Sequence, residues 1–545
     1  MNLKKNDIIN LEITDMSGQG SGIGRYDGMA IFVPLTAIGD KIEARILKVK
    51  KNYAFAKIEN ILTYSEKRIE PDCHYYAKCG GCVYRHISYE EELKIKQQRV
   101  FDALERIGGI KDFKFNRIVG CASPDNYRNK SQMPVGKDKD GNIVMGFYGN
   151  HSHRIVGSGE CRLHPKIFDG IIKITKSWAQ KNNVQPYDES TNTGLLRHIY
   201  IRYAQKSGEL MLCLVINGNS IPHSDELINA LTDYSDKIKS IILNINKDRT
   251  NVILGKKCKT IYGKDSITDE LCGLKFNISP LSFYQVNRDQ AENLYKIAAD
   301  FAGLTGDEFL LDLYCGTGTI GLSMASKSKN LLGVEIIPQA IENAKENAKI
   351  NGIKNAKFIC SDASAAALKL CRDNMQPDVV VLDPPRKGCD AMVVDSVRKM
   401  APKRIVYVSC DPETLARDLK IFYEYGYEVV EVTPVDMFPR TSHVETVCLL
   451  SKLHSDHHIE VELEMDELDL TAAESKDTYE EIKDYVLKQS GLKVSNLYIA
   501  QVKQKCGIIE RANYNLPKSE NSRQPKCPPE KEKAIREAFK YLGMI

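Results

Sequence analysis

From residue 288 onward the chain alternates helix and strand patterns in regular order, and few folds accept that alternation. Arg288 to Leu304 carries helical spacing. Phe309-Leu310-Leu311-Asp312-Leu313 is a continuous apolar run of strand length, and Asn330-Leu331-Leu332-Gly333-Val334-Glu335 is the next. Ile337 to Asn351 reads as a helix closed by Gly352, after which Lys357–Cys360, Val379–Asp383 and Arg404–Val408 read as strands. Short apolar runs separated by helices are the pattern of parallel strands buried on both faces. The spacing predicts a doubly wound α/β domain over 276–453.

The first of these strands runs into Tyr314-Cys315-Gly316-Thr317-Gly318-Thr319 and then a helix. Gly316 and Gly318 let the backbone approach a nucleotide-type ligand, and Glu335, ending the next strand, can accept hydrogen bonds from a ribose diol. Gly316-Thr317-Gly318-Thr319-Ile320-Gly321 formally fits a dinucleotide fingerprint. Asp383-Pro384-Pro385-Arg386, closing the fourth strand, argues otherwise. It resembles the acid-Pro-Pro run on the substrate side of S-adenosylmethionine methyltransferases.

The length of 545 residues suggests several domains, and a hydrophobic content of 42% supplies ordinary cores. A net charge of +4 gives no global basic bias, though Lys48, Lys50, Lys51 and Lys57 bunch locally. Met1-Asn2-Leu3-Lys4-Lys5 has no apolar run behind it, so no signal peptide is expected, and no stretch is long and apolar enough to span a bilayer. A monomer in the cytoplasm is expected. Thiols stay reduced there, so the sixteen cysteines read as core fillers, ligands or catalytic groups rather than disulfides.

Residues 1–60 read as a small β-barrel. Ile8–Ile13, Ala30–Pro34, Ile42–Ile46 and Tyr53–Ile58 are strand patterns punctuated by glycines. Many short strands in so short a span suggest closure of the oligonucleotide-binding kind, and the segment resembles a TRAM domain, an RNA-binding barrel. Within 61–275, Ser88 to Gly108 reads as a charged amphipathic helix able to pack on the catalytic domain, with Ser88 and Glu91 forming a capping box. The rest of that span is β-rich. Residues 454–477 are polar and acidic, as a linker is. Residues 478–545 are expected to form a small helical extension, with patterns over Tyr479–Gln489 and Ser495–Lys505 that suit a helix-turn-helix.

Cys73, Cys79 and Cys82, with Gly80 and Gly81 between the last two, form a tight thiol cluster, and Cys161 follows in a glycine-bearing turn. Thiolates suit zinc or cluster iron alike. A single Cys-x2-Cys knuckle favours iron–sulfur over zinc, and Cys161 is preferred to Cys121 as the fourth ligand. A second chemistry lies in Val408-Ser409-Cys410-Asp411-Pro412, where a thiol ends a parallel strand among polar neighbours. Carbon 5 of uracil is a poor nucleophile until a thiolate adds at carbon 6, and a base must later remove the carbon-5 proton. Cys410 is the candidate nucleophile and Glu445 the base, with His443 a competing base.

Taken together these motifs resemble the RNA uracil-5-methyltransferase family over residues 1–453, in particular the 23S rRNA enzymes with a TRAM domain and an iron–sulfur cluster. The family's cluster motif matches Cys73, Cys79, Cys82 and Cys161, which implies an iron–sulfur cluster of 4Fe-4S type. Its Ser-Phe-aromatic-Gln-x-Asn motif stands as Ser282-Phe283-Tyr284-Gln285-Val286-Asn287, so the resemblance makes Gln285 a contact to S-adenosylmethionine, with Tyr314, Glu335 and Asp383. It puts the nucleophile at Cys410 and the base at Glu445, and places Tyr127-Arg128-Asn129-Lys130 on an RNA-binding surface where an aromatic could stack on a base. The implied function is formation of 5-methyluridine in 23S rRNA through a covalent adduct between Cys410 and uracil carbon 6. Transfer RNA is the alternative substrate. A non-catalytic iron–sulfur RNA-binding protein is the alternative of another class.

Overall fold

A computed structural model of the chain describes residues 3–150, 152–157, 159–452, 482–483, 485–492, 494–506 and 527–541. The chain divides into two compact units, residues 1–454 and 455–545. The expected linker 454–477 lies outside the described residues.

The first unit begins with strands β1 (Ile8–Glu12), β2 (Asp15–Met16), β3 (Ser21–Tyr26), β4 (Met29–Pro34), β5 (Lys41–Val49) and β6 (Tyr53–Thr63). They form one sheet in the order β1-β5-β6-β4-β3-β2. β1 and β2 follow each other directly, β1 pairing with β5 and β2 with β3, so the sheet closes on itself. The expected barrel is present. Alternate residues such as Ile9, Leu11, Ile31, Val33, Ile42 and Ile46 fill its interior, as the two-residue period of a strand requires.

Helix α1 (Tyr89–Ala103) starts on Ser88, whose hydroxyl accepts the Glu91 amide at 3.3 Å. It runs into a π-helical turn, Leu104–Gly108, and stops at Gly109. A short strand β7 (Lys114–Phe115) then joins the edge of the C-terminal sheet described below.

A mixed sheet follows, built from β8 (Lys130–Lys137), β9 (Ile143–Tyr148), β10 (Ile155–Gly157), β11 (Leu196–Tyr203), β12 (Leu210–Ile216), β13 (Ile238–Ile245) and β14 (Lys257–Gly263). Its order is β10-β9-β8-β11-β12-β13-β14. Helices α2 (Ile167–Lys181) and α3 (Ser224–Tyr234) cover one face, where Phe168, Ile171, Leu227 and Leu231 meet Ile199, Leu212 and Ile241. The hairpin β15 (Ile267–Leu271) and β16 (Leu274–Ile278) leads to the last layer.

That layer carries α4 (Arg288–Ala302), β17 (Phe309–Leu313), α5 (Thr319–Met324), β18 (Asn330–Glu335), α6 (Pro338–Ile350), β19 (Ala356–Cys360), α7 (Ala363–Arg372), β20 (Val379–Leu382), α8 (Ala391–Met400), β21 (Arg404–Ser409), α9 (Pro412–Glu424), β22 (Tyr427–Val435) and β23 (Glu445–Lys452). The strand order is β19-β18-β17-β20-β21-β23-β22-β7. β17 to β21 are parallel, and β23 runs antiparallel to both neighbours. One face packs with α7, α8, α9 and α1, the other with α4, α5 and the β15–β16 hairpin. Every residue of β20 is buried, which is why this strand is apolar without alternation.

The charged pattern of α1 is not a solvated face. Glu92 and Lys96 are at most 1% exposed, and Lys96 Nζ donates to Glu92 Oε1 and to Asp436 Oδ1, each at 2.7 Å. The second unit contains helices α10 (Asn496–Lys505) and α11 (Pro529–Tyr541) around Ile482, Val486, Ile499, Val502, Ile535 and Phe539.

Candidate active site

The C-terminal ends of β17, β18, β20 and β21 open into a cleft of about 880 Å³, the place where an open parallel sheet builds its ligand sites. Gln285, Tyr314, Glu335, Asp383, Cys410 and Glu445 all line it. Tyr314 leaves β17 with φ of +71°, a left-handed conformation that costs a non-glycine residue energy and persists only when its surroundings enforce it. Gly318 follows at +82°, and a Cβ there would meet Leu322 Cδ1 at 3.0 Å. Glu335 Oε2 accepts from the Gly316 amide at 3.2 Å and Oε1 from the Ile337 amide at 2.9 Å. The glycine turn and the acid are thereby fixed relative to each other, an arrangement suited to a ribose.

Gln285 lies in the loop before α4, whose N-cap Asn287 also donates to the Met437 carbonyl at 3.1 Å. Asn129 ties this loop to the mixed sheet: its side chain donates to the Gln285 carbonyl at 2.9 Å and its amide to the Val286 carbonyl at 2.8 Å. Tyr127 is buried, and its hydroxyl donates to the Pro439 carbonyl at 3.0 Å. It is therefore not available to stack on a base, contrary to the expectation from sequence. Tyr127 secures the Pro439 loop instead.

Cys410 follows β21 and precedes α9, whose N-cap Asp411 accepts the Thr414 amide at 3.0 Å. Burial pushes its thiol up to about 12, with the Glu445 and Asp383 carboxylates adding to the rise and Arg386 opposing it. Glu445 opens β23, and burial followed by Asp383 raises it to about 8. Asp383 itself is raised to about 7 by burial. Below them Asp312 is raised to about 8 by burial and by Asp383, while its Oδ2 accepts the Gly321 amide at 2.9 Å. Several acids crowded in one dry site cannot all ionise cheaply. His443, held to about 4 by burial and by Arg386, is a neutral imidazole at physiological pH and a weak base.

The four cysteines of the expected cluster line a second, smaller cavity of about 70 Å³ with Tyr75, Tyr76, Phe147, Val156 and Leu163. Burial raises the thiols of Cys79 and Cys161, and takes Cys82 to about 12 against the pull of Arg85. Arg85 is buried and anchored by Asp72 at 2.7 Å and Asp125 at 2.8 Å. Among the described residues no group of three or more His, Cys, Asp or Glu side chains could hold a metal ion. Thiols that surround a cavity instead of converging on one point fit a cluster whose irons each take one thiolate. Cys121 is elsewhere, its sulfur 3.6 Å from Asn287 Nδ2.

Residues 204–453 match the family described as tRNA (uracil-5-)-methyltransferase, and residues 3–58 match the TRAM domain. An RNA methyltransferase of Clostridium tetani (strain Massachusetts / E88) is 47% identical over 449 residues, 82% of this chain and 97% of the relative. The chain belongs to the RNA uracil-5-methyltransferase family. An RNA methyltransferase of Staphylococcus aureus (strain MRSA252) is 43% identical over 449 residues, 82% of this chain and 99% of that one. The solved structure of Pyrococcus abyssi tRNA (uracil-54, C5)-methyltransferase with S-adenosyl-L-homocysteine superimposes with a TM-score of 0.66 at 28% identity, covering 81% of this chain and 99% of that one. As a member of this uracil-5-methyltransferase family the protein is an S-adenosylmethionine-dependent RNA methyltransferase with an N-terminal TRAM domain.

Two cleft residues, Arg386 and Phe283, carry chemistry that the sequence alone did not assign, and Lys130 of the segment expected on an RNA-binding surface joins them. Arg386 faces Cys410 and Glu445 electrostatically, and its Nη2 lies 3.3 Å from His443 Nε2. Phe283 is 61% exposed at the cleft, an aromatic face open to a base. Lys130 lines the same cleft, lowered to about 8 by burial and by Arg202 and Arg128. Both Arg386 and Phe283 sit inside motifs recognisable in the sequence. The signal was an uncommitted cation after Asp-Pro-Pro and an aromatic between two polar positions.

Proposed function

We propose that the protein methylates carbon 5 of a uridine in 23S ribosomal RNA through a covalent adduct between Cys410 and carbon 6 of the base. The observation that carries this reading is the meeting of Cys410, Asp383 and Glu445 in the cleft that also holds the glycine turn and Glu335. Gln285, Tyr314, Glu335 and Asp383 hold the methyl donor. S-adenosylmethionine supplies an electrophilic methyl group on a sulfonium.

The target base is flipped out of its helix or loop to reach the cleft, where exposed Phe283 offers it a stacking face. The Cys410 proton passes to water in the open cleft, a loss made less costly by Arg386, and the sulfur bonds to carbon 6 while the electrons of the 5,6 double bond move through the ring onto the carbon-4 carbonyl oxygen. Carbon 5 of that enolate takes the methyl group, and the departing sulfur keeps the electron pair of the broken bond. Glu445 then accepts the carbon-5 proton. The electrons of that C–H bond restore the ring double bond and expel the Cys410 thiolate. The sulfonium of the bound methyl donor would lower the pKa values of the nearby carboxyls, which would ready Glu445 as the base.

Cys73, Cys79, Cys82 and Cys161 would hold a 4Fe-4S cluster, for which a buried set of soft thiolates around a cavity is the fitting donor set. Such a group would supply a structural cross-link between two distant segments. No step of methyl transfer passes through it.

A transfer-RNA substrate is the second reading, favoured by the Pyrococcus abyssi enzyme, which acts on tRNA. The deciding experiment offers labelled S-adenosylmethionine with 5-fluorouridine-containing ribosomal and transfer RNA to wild type and Cys410→Ala. A covalent adduct on ribosomal RNA formed by wild type alone supports the proposal. An adduct on transfer RNA alone moves the enzyme to the second reading, and absence of adduct and methyl transfer on both overturns the mechanism.

A further inference from the structure

The loop from Asp436 to Glu445 is held from outside at six of its carbonyls, five of them consecutive. Gln290 Nε2 donates to the Asp436 carbonyl and Asn287 to that of Met437, at 3.0 and 3.1 Å. Lys96 Nζ donates to the Phe438 carbonyl at 3.2 Å, Tyr127 to Pro439 at 3.0 Å and Arg99 to Ser442 at 2.9 Å. The Arg440 carbonyl accepts from the amides of Val83 and Tyr84 at 2.8 and 3.2 Å. Those amides directly follow Cys82 in the chain.

Arg440 is the bend of this loop, with φ of +69°. A non-glycine residue stays there only where its surroundings over-determine it. Its amide donates to Glu92 Oε1 at 2.6 Å and its guanidinium to the Ile87 carbonyl at 3.2 Å. Glu92 in turn pairs with Lys96, which pairs with Asp436, and Tyr89 closes the set by donating to Asp436 Oδ2 at 2.7 Å. Glu92, Lys96 and Asp436 are buried. Three residues beyond the bend stands His443, and two further Glu445.

We infer that the cysteine segment and helix α1 form a clamp on this loop. Val83, Tyr84, Glu92 and Lys96 are positioning residues that fix the bend at Arg440, and so the place of Glu445, without touching the methyl-donor side of the cleft. The order of the cysteine cavity then governs proton removal but not affinity for the donor. The inference rests on the proposed role of Glu445 and adds to it a task for the cysteine segment.

Hydrogen exchange on the full-length protein tests it, comparing wild type with Cys82→Ser and Lys96→Met. Both variants should exchange the amides of 437–445 about tenfold faster, with those of β17, β18 and the 314–318 turn unchanged. Affinity for S-adenosylhomocysteine should stay constant. In turnover, kcat should fall about tenfold with the KM for S-adenosylmethionine unchanged, and Lys96→Arg should recover most of it. If Lys96→Met does not fold, Tyr89→Phe removes a single hydroxyl from the same set and is read the same way. Unchanged exchange at 437–445 in either variant, or an equal rise through β17 and β18, overturns the clamp. Should the exchange pattern appear while wild type methylates no RNA, the clamp stands and the functional reading fails.

Discussion

Arg386 Nη2 and His443 Nε2 lie 3.3 Å apart across the cleft. His443 is held neutral by burial and by the cation itself, so its ring nitrogen accepts a hydrogen bond from the guanidinium and keeps Arg386 beside Cys410. Replacing Arg386 by Gln removes a positive group that opposes the rise of the Cys410 thiol. The pH midpoint for iodoacetamide alkylation of Cys410 should move up by about one unit, and kcat should fall by roughly tenfold or more. An unmoved midpoint would show that Arg386 does not activate the thiol.

Glu445→Gln keeps the shape of the side chain but cannot take a proton. In the proposed mechanism adduct formation and methyl transfer precede that step, so the variant should accumulate methylated, covalently bound RNA visible by denaturing electrophoresis. Turnover should drop about 10²- to 10⁴-fold. In the wild type the basic form of Glu445 exists above its raised pKa, about 8 in the free protein. The kcat/KM for RNA should therefore climb with pH toward that value, and lower-pH activity should recover as saturating methyl donor draws the pKa down.

The strands of the catalytic layer were legible because nothing competes with their pattern. Phe309–Leu313 and Asn330–Glu335 are buried on both faces and occur with the bounds that their apolar runs suggest. Of the six cleft residues, Tyr314, Glu335, Asp383 and Cys410 stand at strand ends, while Gln285 and Glu445 were legible only through longer motifs. Helix α1 shows what was hidden. Its Glu92 and Lys96 look like a solvated pair at one-turn spacing, and only Asp436, hundreds of residues away in sequence, makes them a buried network. Tyr127 misled similarly, since its partner is a carbonyl at Pro439. No local pattern announces a long-range hydrogen bond.

Asp312, Asp383 and Glu445 all have folded pKa values above the ordinary 3.8 to 4.5 of free carboxyls. The unfolded chain therefore releases these protons first as pH rises. The stability they contribute while neutral is fully present below that range, and is lost as pH rises through about 7 and 8. The ligand-free protein should melt roughly 5 °C lower at pH 9 than at pH 5.5, in calorimetry at constant ionic strength. Glu445→Gln should remove about a third of that drop, as one of three similar sites. A melting temperature that rises with pH over this interval would refute the assignment.

The barrel is expected to make a second, separable contribution. Tyr53 and Phe55 are 38% and 41% exposed on β6, and with Phe32 they form an aromatic group at centroid separations of 5.5 to 5.8 Å, Tyr53 meeting both phenylalanines edge to face. Lys48 stands opposite Phe55 in register, and Lys57 continues the exposed side of β6. Exposed aromatics flanked by lysines are what successive unpaired bases stack upon, at about 1–3 kcal/mol per base. Tyr53→Ala and Phe55→Ala should each raise the KM for RNA about tenfold, leaving kcat and the melting temperature near wild type. Lys48→Ala should weaken binding less, and should lower the slope of log affinity against log salt by about one. Equal losses in kcat would mean that the barrel shapes the cleft, whereas an unchanged KM would mean that the RNA passes elsewhere.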